Sequence, residues 1–244
     1  MSLNPLANYD ESKSPKDENG KSVDDLLKGL STQRGAVLTM IGPSGVGKTA
    51  AIIHQATKRF VILIDGGTGF TSYGDACFHS TKEQIRSLME EAIENEKSRE
   101  WSTASWVDFH KRIRALARFQ LTCDIFARVV FFRWLRKVIP GLTPTQFLLS
   151  QLNGPASLIS AINSTFKSRI VNRENVTAWL DEAINDLTLE NVHLVLAIDE
   201  AQTIAEGKFL ASSVIQNCDN YLKYKEENGF TPAQSYCLGL LSVI

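Results

Sequence analysis

The sequence predicts an α/β fold: a parallel sheet covered by helices, with one large all-helical insertion. Three observations carry that prediction. Apolar runs of strand length at 36–41, 60–65 and 192–198 are separated by helical patterns. These runs are apolar throughout rather than at every second position, as strands covered on both faces are. The stretch 80–190, between the second and third runs, reads as helix after helix.

The elements follow in order. Residues 1–21 are polar, charged and punctuated by Pro and Gly, and are expected to be a disordered tail. Residues 22–244 are expected to form one domain. It opens on a short amphipathic helix with Leu26, Leu27 and Leu30 inward. After the strand 36–41 and the loop 42–47, residues 48–59 read as a helix with Ile52, Ile53 and Ala56 on one face. The second strand, 60–65, runs into the glycine-rich loop 66–75. Ser80 and Glu83 have capping-box spacing, and Ile85, Leu88, Met89, Ala92 and Ile93 follow at helical intervals. A long helix is expected over about 103–138, stopped by Pro140 and Gly141. Shorter helices follow near 144–151, 155–167 and 174–186. After the third strand, 208–226 reads as helix and 236–244 as a final apolar run.

Composition excludes several classes. Of 244 residues, 43% are hydrophobic and 22% charged, which rules out a mostly disordered chain, a collagen-like repeat or a coiled-coil rod. Lys plus Arg total 26 against 27 Asp plus Glu, a net charge of −1, so any basic surface must be local. Cys77, Cys123, Cys218 and Cys237 form no C-x-x-C pair, so the usual zinc spacing is missing and the thiols fit a reducing compartment. The first residues lack the apolar core of a secretory signal. The uncharged stretch 138–166 is broken by Pro140, Pro144 and Pro155, so it is not read as a membrane span. An intracellular protein without membrane contact is expected.

The loop before the first long helix carries the strongest chemical signal. Gly42, Pro43, Ser44, Gly45, Val46, Gly47, Lys48 and Thr49 match G-x-x-x-x-G-K-[ST] at every position, with Ala50 next in the helix. Glycines let backbone N–H groups wrap phosphate oxygens, and the helix N-terminus adds positive potential. In this pattern Lys48 supplies a charge to the β and γ phosphates, and the Thr49 hydroxyl ligates Mg²⁺. The motif sits between strand and helix, the context its chemistry requires.

The third strand ends in Asp199 and Glu200. A carboxylate at the C-terminal end of a parallel strand can hold Mg²⁺ opposite a phosphate loop, which suits Asp199. Glu200, one residue on, is placed to act as general base toward an attacking water. An acidic, solvated strand end is the plainer alternative, and the phosphate loop tips the balance to the metal site.

Together the two motifs resemble the additional-strand class of P-loop NTPases, which includes AAA+, STAND and RecA-like ATPases. The string IDEAQ at 198–202 is similar to the Walker B box of several AAA-type ATPases. The string GPSGVGKTAAIIHQATKRFVILID resembles the start of the ATPase domain in Crinkler-type proteins of fungi and oomycetes. The likeness covers 35–65 and 192–204 and is only architectural over the insertion. It implies a P-loop NTPase core that binds ATP and Mg²⁺ and hydrolyses ATP, with nuclear residence an implication of the Crinkler likeness. Two departures bear on activity. No arginine follows Arg173, and only 236–244 offers a further strand after Asp199. A minimal or truncated domain with slow hydrolysis is therefore expected.

Other readings stay open beside this one. A STAND-like switch would bind ATP, hydrolyse it poorly, and use the helical insertion to dock a protein partner or a second copy. A nucleic-acid-dependent ATPase would use 111–137, where Lys111, Arg112, Arg114, Arg118, Arg128, Arg133, Arg136 and Lys137 face one acid, Asp124. The favoured view of that stretch is an amphipathic helix with its aromatics inward and its basic residues solvated. GTP is not expected, because 199–202 is Asp-Glu-Ala-Gln rather than D-x-x-G and no N-K-x-D follows. Gln202 is a candidate γ-phosphate sensor, and Asp65 is read as a capping or turn residue before a catalytic one. His193 is read as a core residue of the third strand.

Overall fold

The computed structural model describes residues 16–30, 47–65, 78–81, 83–84, 87, 91, 103–152, 156–169 and 173–199. These residues are mostly helical around a small parallel sheet of two strands. The predicted strands at 36–41 and 236–244, and the predicted helix 208–226, lie outside them.

Helix α1, Val23–Leu30, is opened by a reciprocal cap. The Asp25 amide donates to Ser22 Oγ at 3.3 Å, and the Ser22 amide donates to Asp25 Oδ2 at 3.3 Å. Val23 is its buried residue, with Leu26 and Leu27 half-buried. Residues 16–21, read from sequence as part of a disordered tail, form a turn instead. Asp17 Oδ1 accepts from the amides of Asn19 and Lys21, and Lys16 bridges to Ser22. Helix α2, Lys48–Lys58, leads through Arg59 alone into strand β1, Phe60–Asp65. Arg59 donates to Asp24 Oδ1 at 2.6 Å, which ties α1 to the end of α2.

The helical region between β1 and the second strand, expected from sequence as an insertion, is built on helix α3, Thr103–Val138. It ends where predicted, at Pro140 and Gly141, with Gly141 at φ 77°. Its middle, residues 120–129, is buried on every side, which makes it the axis of the insertion rather than a one-faced surface helix. Helix α4, Pro144–Leu152, begins with a T-x-x-Q box: the Thr143 amide donates to Gln146 Oε1 at 2.9 Å and the Gln146 amide to Thr143 Oγ1 at 3.2 Å. Pro144 fills the first helical position, where no amide donor is needed. Helices α5, Ala156–Arg169, and α6, Arg173–Leu189, pack along α3. The helix predicted to start at the Ser80 box is already under way at Phe78, so Ser80 is not its cap. Phe78 is fully buried, and that burial outweighs the local capping signal.

Strand β2, Leu194–Asp199, pairs parallel with β1, in a register that sets Phe60 opposite Leu194 and Asp65 opposite Asp199. Both faces of this pair are covered. Phe60, Ile62, Ile64, Leu194, Leu196 and Ile198 join the core with α3, α5 and α6. Val61, Leu63, Val195 and Ala197 pack with Ile53 and Ala56 of α2 and Leu148 and Leu152 of α4. The uniformly apolar strands thus have the two-sided covering that their sequence predicts. Phe60, Phe132 and Phe147 form an aromatic cluster, with ring centroids of Phe132 4.9 Å from Phe60 and 4.7 Å from Phe147.

Candidate functional site at the carboxyl edge of the sheet

Helix α2 and strand β1 are joined by a single residue and pack on one another. A helix so connected must run back along the strand, so its N-terminus points toward the edge where β1 and β2 end. Asp65 and Asp199 are in register at that edge. They belong to the alternating set of Val61, Leu63, Val195 and Ala197, whose side chains face α2. Lys48 and Thr49 open α2, while Asp65 and Asp199 close the two strands on the same face. Both carboxylate residues are half-buried.

The start of α2 is shaped by Gly47. It has φ 89° and ψ 17°, a left-handed conformation that a side chain would strain. The first i→i−4 bond of the helix has the Ala51 amide donating to Gly47 O at 2.8 Å. The amides of Lys48, Thr49 and Ala50 belong to the first turn, where an α-helix has no i→i−4 acceptor of its own. Gly42, Pro43, Ser44, Gly45 and Val46 lie outside the described residues, as do Glu200 and Gln202. Thr49 and Asp199 offer a hydroxyl and a carboxylate, hard oxygen donors of the kind Mg²⁺ takes together with water. Among the described residues, no group of three or more His, Cys, Asp or Glu could hold a metal ion.

The outer edge of β1 is closed by side chains that sequence reasoning missed. Gln151 of α4 donates from Nε2 to Val61 O at 2.8 Å and accepts at Oε1 from the Leu63 amide at 3.0 Å. Its carboxamide thus stands in for a neighbouring strand. Arg128 of α3 donates from Nη1 to Leu63 O at 3.2 Å. Val61 O and both backbone groups of Leu63, on the edge away from β2, are thus bound by side chains. The only sequence signal was a glutamine and an arginine within otherwise apolar helical stretches.

Among the described basic residues of 111–137, Arg128 is buried, Lys111, Arg112, Arg133 and Lys137 are exposed, and several form ion pairs. Arg128 is buried against Asp124, with Nε 2.9 Å from Oδ2. Arg133 pairs with Asp186 at 3.0 Å, and Arg136 with Glu190. Lys111 lies near Asp108. Phe126, Phe131 and Phe132 are buried as predicted, but Trp134 is 49% exposed. His193 precedes β2 and is exposed, contrary to its reading as a core residue. The turn through Asn191, at φ 56°, delays the strand to Leu194. Cys123 is a buried thiol whose pKa burial pushes up to about 11, as expected of an inert core cysteine. Among the described residues, no helix is long and apolar enough to cross a membrane.

No family model, curated protein or solved structure matches the chain.

Proposed function

We propose that this chain is a P-loop ATPase of the AAA+/STAND-like kind, binding MgATP at the carboxyl edge of its sheet and hydrolysing it slowly. The observation that carries the reading is one juxtaposition. The Gly47-Lys48-Thr49 end of a complete phosphate-loop motif opens the helix that packs on the face bearing Asp199. Ligands of parallel α/β sheets bind outside the carboxyl ends of the strands, and this edge has that position.

Each residue then has a task. The loop 42–47 and the amides at the start of α2 cradle the phosphates. Lys48 neutralises charge on the β and γ phosphates. Thr49 and Asp199 hold Mg²⁺, which supplies charge neutralisation at the phosphoryl group when bound. Glu200 orients and deprotonates the water. Asp199 rather than Asp65 is assigned the metal because it ends the strand that runs into the acidic IDEAQ motif.

The second reading, a STAND-like switch with little turnover, is favoured by the pairing of Arg128, Arg133 and Arg136 with carboxylates of the insertion. The burial of Phe126, Phe131 and Phe132 in the core weighs against 111–137 as a surface with interleaved aromatics for nucleic acid. Calorimetry with ATP and Mg²⁺ tests the proposal. Wild type should bind, and Lys48→Ala should lose most of the affinity; equal binding by the two would overturn the assignment.

A further inference from the structure

A chain of buried polar contacts links the insertion to the candidate edge. Asp124 and Arg128, with side chains 1% and 5% exposed, form an ion pair one helical turn apart on α3. Arg128 divides its guanidinium, Nε to Asp124 Oδ2 and Nη1 to Leu63 O. Asn163 of α5 donates from Nδ2 to Asp124 Oδ1 at 3.4 Å and to Thr81 Oγ1 at 3.3 Å. Thr81 is itself buried, three residues past the fully buried Phe78. The contacts therefore hold the chain on both sides of the connection that leaves β1: at Leu63, two residues before Asp65, and at Thr81.

Stability alone does not account for this arrangement. A buried ion pair of this kind is commonly matched or exceeded in stability by apolar residues of similar volume. Asn163 Oδ1 and Gln120 Oε1 are also buried without a hydrogen-bond partner, a further cost. What the pair supplies that an apolar pair cannot is a directed donor to one backbone carbonyl at the end of β1.

We propose that Arg128, held by Asp124, is a positioning residue: it fixes the carboxyl end of β1, and through the strand register the edge at which Asp199 acts. The insertion is thereby coupled to the nucleotide site. The functional half of this inference rests on the MgATP reading; the positional half does not.

The test uses the full chain with Asp124→Leu/Arg128→Met, which replaces the pair by apolar groups, and Arg128→Lys, which keeps the charge. A single ammonium cannot reproduce the fork that serves Asp124 and Leu63 O together. Amide hydrogen exchange over residues 63–65 is compared with 60–62, and MgATP affinity is measured by calorimetry. Expected are exchange at least tenfold faster over 63–65, with 60–62 unchanged, and MgATP affinity at least fivefold weaker. The double variant is also expected to unfold at a lower temperature, since Leu63 O and Asn163 Nδ2 each lose a partner; the contrast between 63–65 and 60–62 separates the local release from that global loss. Arg128→Lys should fall between. Unchanged exchange over 63–65 in both variants overturns the positioning role whatever the nucleotide result. Altered exchange with undiminished MgATP affinity overturns the coupling alone. Altered exchange in the variants, where the wild-type chain binds no MgATP, supports the positioning role and removes the ATPase proposal.

Discussion

Replacing Gln151 by leucine should show how much the sheet depends on a side chain that substitutes for a strand. Leucine has a similar reach and fits the apolar side of α4, where Leu148 and Leu152 already pack. The substitution removes the 2.8 Å bond to Val61 O and the 3.0 Å bond from the Leu63 amide. It leaves one backbone acceptor and one donor of β1 facing a helix rather than water. Each such orphan costs about 1–3 kcal/mol, and the added apolar contact returns about 1 kcal/mol. A net loss of ~1–5 kcal/mol follows, or roughly 2–20 °C in Tm for a chain of this size. Urea unfolding at pH 7 would measure it. Gln151→Glu adds a signature that bulk packing cannot mimic. A neutral carboxyl can both donate to Val61 O and accept from Leu63, whereas a carboxylate can only accept. The folded state therefore raises this pKa above its unfolded value of about 4.3. The stabilising contribution is full below that value and is lost as pH rises through the folded pKa. A Gln151→Leu variant within about 0.5 kcal/mol of wild type, at unchanged m-value, would refute the edge-closing role.

The remaining predictions concern charge. Glu200→Gln should leave MgATP binding intact and reduce hydrolysis at least about tenfold, whereas Asp199→Asn should weaken Mg²⁺-dependent binding; identical behaviour would deny the division of roles. Hydrogen bonds from Lys28 and then Arg59 hold Asp24 down to about 2. That stability is present above the ordinary carboxylate value and is lost as pH falls toward 2. Asp24→Asn should therefore be less stable than wild type at pH 5 by up to about 1 kcal/mol and equal to it near pH 2 in urea titrations. Basal turnover of the chain alone should stay well below about 1 s⁻¹, since an arginine at the γ-phosphate supplies about 10³–10⁵ and Arg128, Arg133 and Arg136 are engaged elsewhere. Faster turnover at concentrations where the chain is monomeric would show that another arginine acts in cis.

What was legible in the sequence was local. Strand β1 and helix α2 were readable because one apolar run has strand length and the other has helical periodicity, with Lys58-Arg59 between them. The end of α3 was readable because Pro140 and Gly141 stop a helix in any context. The errors came where distant burial overrode a local cue. Ser80 has the spacing of a cap, but Phe78 is drawn into the core and takes the helix past it. His193 continues an apolar run, but the turn at Asn191 keeps it out of the strand.

The closing of β1 could not be read at all, because a glutamine some ninety residues away in sequence is indistinguishable from a surface glutamine until α4 is laid along the strand. Part of the basic stretch behaves likewise: Arg128, Arg133 and Arg136 become partners of Asp124, Asp186 and Glu190, while Lys111, Arg112 and Lys137 stay exposed. The candidate site lies between these extremes. Lys48, Thr49 and Asp199 were nameable from their motifs, but only parallel pairing, with Asp65 opposite Asp199, sets both carboxylates at one edge. The two acids are not equivalent in their strands: side chains of α3 and α4 bind the backbone of β1 at Val61 and Leu63, two residues before Asp65. Motif reading can nominate a carboxylate; the strand register shows which other acid shares its edge.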